Sequence, residues 1–209
     1  EDWRGHLMVD DYGGYKASFR QGVTELACLA HCRRKFFELH AAGGHPVAHE
    51  ALRRIGELYA IEAQAHDGDT STRLALRQQE ALPKLTAWHD WLVAQRLRTA
   101  DGTGLARAID YSLKRWPALM RYVGSGHLPI DNNPVENAIR PITLGRRNWL
   151  FTGSERAGRR AAAIQSLLAT AKLNELEPLA WLKDTLEKLP AWPYSRIDEL
   201  LPLRSLPAA

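Results

Sequence analysis

The chain has 209 residues, of which 45% are hydrophobic and 25% charged, as in a globular protein with one large domain or a core with one insertion. No apolar run approaches the ~18 residues that a membrane-spanning helix needs, and no signal-peptide pattern opens the sequence. The two cysteines are too few for a disulfide framework. They favour a reducing compartment, so we expect a cytoplasmic protein with no membrane partner.

The net charge of +4 is concentrated in one region, the basic segment Arg140–Arg160. This segment holds six arginines and one acid, and removing them from the 28 basic and 24 acidic residues leaves 22 and 23. Because the planar guanidinium matches phosphate geometry, the segment predicts contacts with nucleic-acid phosphates. A solvated helix face is the alternative, and charge alone does not separate the two. The six arginines are Arg140, Arg146, Arg147, Arg156, Arg159 and Arg160.

Two strands and a helix are predicted at the start of the chain. His6–Val9 is apolar and is followed by a turn at Gly13 and Gly14. Val23–Ala30 predicts a second strand, and residues 31–44 then change to helical spacing and end at two glycines. The first residues lack a methionine and lead directly into the strand pattern, which indicates a piece of a longer protein.

A helical block, Pro46–Gly124, is predicted to follow. Apolar residues recur at helical spacing in three tracts. A polar stretch at residues 66–71 ends the first tract, Pro83 interrupts the second, and the third ends at the Trp116–Pro117 step. We interpret the leucine and aromatic residues of these tracts as core.

The stretch "IDNNPVENAIRP" predicts the start of a helix after the block. Asn133 suits the N-cap and Pro134 the first helical position. Glu136 then falls three residues after the cap, where its carboxylate could complete a capping box. A carboxylate on the first turn of a helix could equally serve as a rigid metal ligand.

The last part of the chain predicts one extended segment and two more helices. Residues 148–154 are interpreted as extended, and residues 159–174 as a helix with Ile164 and Ala171 on its apolar face. Pro178 begins a further helix that ends at Pro190. The Pro-rich tail, residues 191–209, is expected to be loosely ordered.

Three carboxylates lie at predicted element ends: Asp10 and Asp11 after the first strand, and Glu136 at a helix start. Acids at such positions are what two-metal phosphoryl transfer requires, since two Mg²⁺ ions ~3.5–4 Å apart need hard oxygen ligands. Strand ends and helix turns also hold ligands more rigidly than loops do. Scattered acids at element boundaries are common, so this signal alone is weak.

Four segments make the pattern specific: "DDYGGY", "CLAHCRRKF", "DNNPVENAIRPITLGRRNWLFTGSERAG" and "LLATAKLNELEPLAWL". Together, in this order and spacing, they resemble the C-terminal half of transposases of the insertion sequence 66 family. The resemblance covers nearly the whole chain. It implies a DDE-type transposase with an RNase H-like catalytic core, which cleaves and joins DNA strands at insertion-sequence ends by two-metal chemistry.

The resemblance implies that Asp10 and Glu136 are the second aspartate and the glutamate of the catalytic triad and that both bind Mg²⁺ or Mn²⁺. Asp11 stands where the family often has glycine. Strand alternation would direct it away from Asp10, so it is not counted as a ligand. The family's first aspartate and its N-terminal DNA-binding and zinc-binding regions are expected upstream of Glu1. We therefore expect the chain alone to be inactive.

The predicted fold is accordingly helix-rich α/β, a partial RNase H-like core interrupted by a large all-helical insertion. Residues 1–44 form a core segment with the catalytic aspartate, and residues 45–125 form the helical insertion. Residues 126–190 hold core helices with the catalytic glutamate and the basic segment, and residues 191–209 form the tail.

DNA, at transposon ends and at the target, is the expected partner, in a homo-oligomeric complex associated with the bacterial nucleoid. The six arginines of the basic segment are predicted to contact DNA. Trp149 could stack on an unpaired base or belong to the core. Arg33, Arg34 and Lys35 could contact DNA or form a solvated helix face. The alternative function is a non-catalytic DNA-binding or assembly module from a truncated element.

A zinc site is a further possibility, because some cysteine and histidine spacings are ligand-like. Cys28 on an apolar strand is, however, more typical of a small core residue. The residues concerned are Cys28, His31, Cys32, His45 and His49.

Overall fold

The computed structural model describes residues 3–145 and 152–203 and shows a helix-rich α/β protein with a small sheet. Its contacts divide the chain into a first unit, Glu1–Val135, and a second unit, Glu136–Ala209. The strands are β1 (His6–Val9) and β2 (Thr24–Ala27). The helices are α1 (Lys16–Arg20), α2 (Leu29–Gly43), α3 (Pro46–Gln64), α4 (Thr70–Leu76), α5 (Leu82–Leu97), α6 (Gly104–Lys114), α7 (Trp116–Met120), α8 (Asn133–Gly145), α9 (Glu155–Leu173) and α10 (Pro178–Lys188).

The two strands are parallel, with His6 opposite Thr24 and Val9 opposite Ala27. The first predicted strand is confirmed with its bounds. The second is shorter than predicted, because each residue of β2 faces one of β1 and the chain enters α2 at Leu29. Parallel strands joined by a connection carry their carboxyl ends at the same edge of the sheet, which we call the carboxyl edge.

Backbone hydrogen bonds define both ends of helix α2. Leu29 donates its backbone N–H to the carbonyl of Ile130 at 3.1 Å, so one of the free donors at the helix start is satisfied by a distant segment. Gly44 follows the helix with φ of 66° and donates to the carbonyl of His40 at 2.7 Å. A residue without a side chain adopts this left-handed conformation at no steric cost.

The predicted helical block folds as helices α3 to α7. The interruption predicted at Pro83 is present, but it lies before the proline, where Arg77–Ala81 form a π-helical turn. Pro83 cannot donate a backbone hydrogen bond, and the wider turn lets the chain continue into α5 without one. Side chains of the block pack with α2 into one core, whose largest members include Phe36, Ile55, Leu58, Leu85, Trp88, Leu92 and Ile109.

Arg77 lies in the π-helical turn and is 1% exposed. It makes a bidentate ion pair with Glu62, with Nε–Oε1 and Nη2–Oε2 distances of 2.8 and 2.5 Å. Its Nη1 also donates to the backbone carbonyls of Tyr122, Ser125 and Leu128. One buried guanidinium therefore fixes the segment that leads from the helical block to α8.

The second unit contains α9 and α10 followed by short 3₁₀ turns. Ser154 caps α9 by accepting the N–H of Ala157 at 3.2 Å. The apolar face predicted for this helix is confirmed only in part, because Ala171 is buried whereas Ile164 is 50% exposed. Pro178 begins α10 as predicted, and that helix ends at Lys188, two residues before Pro190.

Part of the C-terminal tail is more ordered than predicted. Tyr194–Leu200 forms 3₁₀ turns, and the Trp181 indole donates to the Leu200 carbonyl at 3.2 Å. Pro202 is buried. Among the residues that the structure describes, none of the helices is both long and apolar enough to span a membrane.

Candidate functional site

Asp10 directly follows β1 and is exposed at the carboxyl edge. Its Oδ1 accepts the backbone N–H of Tyr12 at 3.1 Å, and its backbone carbonyl accepts the Tyr111 hydroxyl at 3.0 Å. The carboxylate of Asp10 is thus solvent-accessible, while the backbone that carries it is held from α6. We call Asp10–Tyr12 the strand-end turn.

Asp11 has a different environment from Asp10. It adopts φ of 84°, a left-handed conformation that is uncommon for residues other than glycine. Its Oδ1 lies 2.6 Å from Nη1 of Arg115, a guanidinium that is itself buried. The Asp11 carboxylate is therefore engaged in an ion pair, which gives a contact-based reason for leaving it out of the predicted metal ligands.

A second motif reaches the same edge from far along the chain. Cys28, at the end of β2, donates its N–H to the Val9 carbonyl at 3.3 Å. Its thiol donates to Oδ1 of Asn132 at 2.9 Å, and the Asn132 N–H points back to the sulfur at 3.4 Å. Burial raises the pKa of the Cys28 thiol, so the sulfur keeps the proton that it donates. The DNN motif (Asp131–Asn133) is thus docked at the carboxyl edge.

Asp131 is the buried member of the DNN motif. Its Oδ2 accepts the Tyr59 hydroxyl and the Asn133 side-chain amide, both at 2.7 Å, and its Oδ1 accepts the Asn133 N–H at 3.0 Å. Burial and the Asp131 charge raise the pKa of Tyr59 above its usual range, which keeps the hydroxyl a donor. Our site prediction did not include Asp131 or Tyr59. The available signal was an acid two residues before the predicted N-cap Asn133.

The start of α8 differs from the predicted capping box. The helix begins at Asn133, one residue early, and the Asn133 side chain donates to Asp131. Asp131 caps the segment instead, because it accepts the Asn133 N–H. Pro134 is then the second helical residue, and Glu136 lies on the first turn, exposed.

Asp10 and Glu136 belong to different units, so their proximity stays a prediction. Within the two described stretches of chain, no group of three or more histidine, cysteine, aspartate or glutamate side chains is arranged to hold a metal ion. Both carboxylates are nevertheless exposed hard-oxygen donors, the ligand type that suits Mg²⁺.

The residues considered for zinc have other contacts. Cys28 interacts with Asn132, and Cys32 is fully buried in the core, where desolvation raises the pKa of its thiol to about 12. Nδ1 of His45 accepts the Val47 N–H at the start of α3. The His49 ring packs against that of His40, with centroids 5.4 Å apart.

The basic segment is only partly described. Arg140 is exposed on α8, and Arg156, Arg159 and Arg160 are exposed in the first turns of α9. Positions three and four apart share a helix face, so the α9 arginines form one cationic surface. Arg159 also makes an exposed ion pair with Glu155 at 2.6 Å. The predicted DNA contacts Arg146, Arg147 and Trp149 lie outside the described residues.

A second cationic surface lies beside the DNN motif. Arg33 and Arg34 are exposed on α2 and line an open depression together with Tyr59 and Asn133. Lys35 behaves differently, because it is half-buried with Nζ 4.4 Å from the centroid of the Tyr111 ring. Two of the three basic residues therefore face solvent near the motif.

The fold and the site define a helix-rich α/β protein that brings two distant acidic motifs to one edge of a parallel sheet. Residues 1–160 match the family described as "Transposase IS66 family", and residues 166–203 match the "IS66 C-terminal element". The chain therefore belongs to the IS66 transposase family, as its motifs predict.

Similar curated proteins come from Sinorhizobium fredii. The chain is 36% identical to "Uncharacterized protein y4hP" over 95% of its own length and 39% of that protein, and 36% identical to "Uncharacterized protein y4qI" over 98% and 40%. It is 64% identical to 28 residues of "Uncharacterized protein YjgZ" of Escherichia coli, which is 13% of this chain and 26% of that protein. The chain thus spans about two fifths of the S. fredii relatives. No solved structure matches it.

Proposed function

We propose that this chain is the catalytic-domain portion of a DDE-type transposase that cleaves and joins DNA strands at insertion-sequence ends. The observation that carries the proposal is the position of Asp10 at the carboxyl edge of a parallel sheet, in a chain of the IS66 transposase family. The DNN motif, which leads into the helix of Glu136, is docked at that same edge.

In this proposal Asp10 and Glu136 are two of the three metal-binding carboxylates. Bound Mg²⁺ or Mn²⁺ would polarise the phosphate and stabilise the attacking and leaving oxygens. The chain's own contribution is placement: the strand-end turn presents Asp10, and Asp131 fixes the start of the helix that carries Glu136. The third carboxylate is expected upstream, in the part of the longer relatives that this chain does not span.

DNA is the proposed partner, and the exposed arginines are its proposed contacts. Arg156, Arg159 and Arg160 lie in the first turns of α9, where the positive end of the helix dipole adds to their charge. Arg33 and Arg34 would contact the sugar-phosphate backbone of DNA that lies beside the DNN motif. An RNase H-like core, a homo-oligomeric active complex and nucleoid association complete the proposal.

Cleavage by an N-terminally extended chain that includes the upstream aspartate tests the assignment. With Mg²⁺ and transposon-end DNA, the parent protein should cut, and Asp10→Asn and Glu136→Gln should each reduce cutting to background. The matched controls are Asp69→Asn, an exposed cap of α4, and Glu155→Gln, an exposed first-turn glutamate. Both controls should cut as the parent does.

Four outcomes count against the proposal. Full activity of Asp10→Asn or Glu136→Gln would remove that residue from the site. Cleavage by residues 1–209 alone would show that the triad is misassigned. A structure with Mn²⁺ in which the two carboxylates are much farther apart than roughly 4–8 Å, the range that a shared ion pair allows, would exclude a common site. DNA binding without any cleavage would favour the assembly-module alternative.

A further inference from the structure

The strand-end turn is held by residues of the helical block. We infer that Arg115 and Tyr111 are positioning residues for Asp10, an inference that rests on the proposed role of Asp10 as a metal ligand. Both residues lie at the end of α6 or directly after it, about a hundred positions from the turn.

The contacts reach three successive residues. Nη2 of Arg115 donates to the carbonyl of Val9 at 3.3 Å, and the Tyr111 hydroxyl donates to the carbonyl of Asp10 at 3.0 Å. Nη1 of Arg115 pairs with the Asp11 carboxylate at 2.6 Å. The two peptide groups that flank Asp10 are therefore both hydrogen-bonded to residues 111–115 of the helical block.

The turn needs such support because of Asp11. The left-handed region is sterically unfavourable for a residue with a side chain, and Asp11 has φ of 84°. The ion pair with Arg115 offsets that cost and sets the direction of the peptide between Asp10 and Asp11. With this geometry Tyr12 can donate its N–H to Oδ1 of Asp10, which orients the carboxylate. Glycine at position 11 would adopt the same φ without the ion pair.

Arg115 can hold the strand-end turn because its own side chain is buried and ion-paired with the sheet. It is 4% exposed, and its Nη2 lies 2.8 Å from Oε1 of Glu25 on β2. Two carboxylates that are each about one-third exposed balance the buried cation, which is the condition for keeping a charge in a low-dielectric interior. Its guanidinium carbon also lies 5.6 Å from the centroid of the Tyr111 ring.

The test measures turn geometry and metal affinity separately, on residues 1–209. A strong intraresidue HN–Hα NOE at Asp11 reports its positive φ, and the Tyr12 amide shift reports its bond to Asp10. Arg115→Gln should weaken the NOE, move the Tyr12 signal and raise the Kd for Mn²⁺ about tenfold, as loss of a ligand-orienting partner does. Tyr111→Phe, which keeps the ring packing, should shift the same signals less.

Replacement of Asp11 distinguishes positioning from general stabilisation. In an Asp11→Gly background, Arg115→Gln should change the Tyr12 amide signal and the Mn²⁺ affinity much less, because glycine adopts the positive φ without the ion pair and only the bond to the Val9 carbonyl is then lost. An effect of equal size in both backgrounds would overturn the inference. The matched control is Arg96→Gln, which removes a guanidinium that also bridges two carboxylates, Asp101 and Asp110, and should alter neither signal.

Failure of the inference and failure of the proposed function give different results. Unchanged Asp11 and Tyr12 signals in folded Arg115→Gln and Tyr111→Phe would overturn the positioning role. If Asp10→Asn leaves the Mn²⁺ affinity unchanged, the metal assignment fails, and the two turn signals still decide whether Arg115 holds the turn.

Discussion

Asp131→Asn tests how strongly the stability of the carboxyl edge depends on one buried charge. The aspartate accepts three hydrogen bonds with two oxygens, from Tyr59, the Asn133 side chain and the Asn133 backbone. An asparagine of the same size has one acceptor oxygen and one NH₂ donor. Whichever way it is oriented, its NH₂ group faces at least one group that donates to Asp131 in the parent protein.

The size of the effect follows from these contacts. A hydrogen bond to a charged acceptor contributes about 1.5–3 kcal/mol and a neutral one about 0.5–1.5 kcal/mol, and an unsatisfied buried donor costs about 1–3 kcal/mol. One bond lost and two weakened at a residue that is 7% exposed should lower the free energy of unfolding by about 2–4 kcal/mol.

Urea unfolding followed by tryptophan fluorescence measures this change. Asp69→Asn is the matched control: Asp69 also accepts a nearby backbone N–H, but it is an exposed helix cap, where asparagine serves as well as aspartate. Tyr59→Phe should reproduce part of the loss, because it removes one donor and leaves the carboxylate. A change below about 0.5 kcal/mol in Asp131→Asn would refute the assignment of Asp131 as a buried, charged anchor.

Three further predictions concern other contacts of the same unit and the basic segment. Arg77→Met should lower the free energy of unfolding by about 3–5 kcal/mol, since it leaves Glu62 without its partner, whereas Arg53→Met at an exposed ion pair should lower it much less; equal losses in denaturant titrations would contradict this. Burial raises the pKa of the Cys32 thiol from its ordinary value of 9.0 to about 12. As the pH rises from 9 toward 12, only the unfolded chain releases this proton, so the free energy of unfolding should fall by about 1.4 kcal/mol per pH unit; Cys32→Ala should flatten that slope in unfolding curves at pH 9–11. The double variant Arg156→Ala with Arg160→Ala should make the slope of log K for DNA binding against log salt concentration shallower by about two. An unchanged slope would mean that this face of α9 is solvated and does not contact DNA.

Sequence patterns predicted those elements whose cause is local. Proline at Pro178, glycine at Gly44 and apolar spacing in the helical block each act within a few residues, and the corresponding helix starts, ends and interruptions are close to their predicted positions. The family motifs could also be recognised in the sequence, because each one is an uninterrupted run of residues. The end of β2 was misjudged because it depends on how long its partner strand is.

The contacts that build the carboxyl edge could not be read in this way. Nothing in the neighbourhood of Arg115 in sequence indicates that it pairs with Asp11 and Glu25, since both partners lie about ninety to a hundred positions away. The same holds for Tyr59 and Asp131. The cap of α8 was misjudged for a related reason: Asn133 has the residue type of a cap, but Asp131, two residues earlier, takes that role because Tyr59 holds it in place.

The long range of these contacts has a consequence for the order of folding. Cys28 with Asn132, Asp10 with Tyr111 and Val9 with Arg115 join residues 104, 101 and 106 positions apart. Such contacts require closure of a long loop before they contribute, so they form late unless the intervening chain folds first and shortens the distance. The helices between them are built from local contacts and can form early. Replacement of α3–α7 by a flexible linker of the same number of residues should therefore leave the strands unpaired with the DNN motif, because the loop then stays long and unfolded.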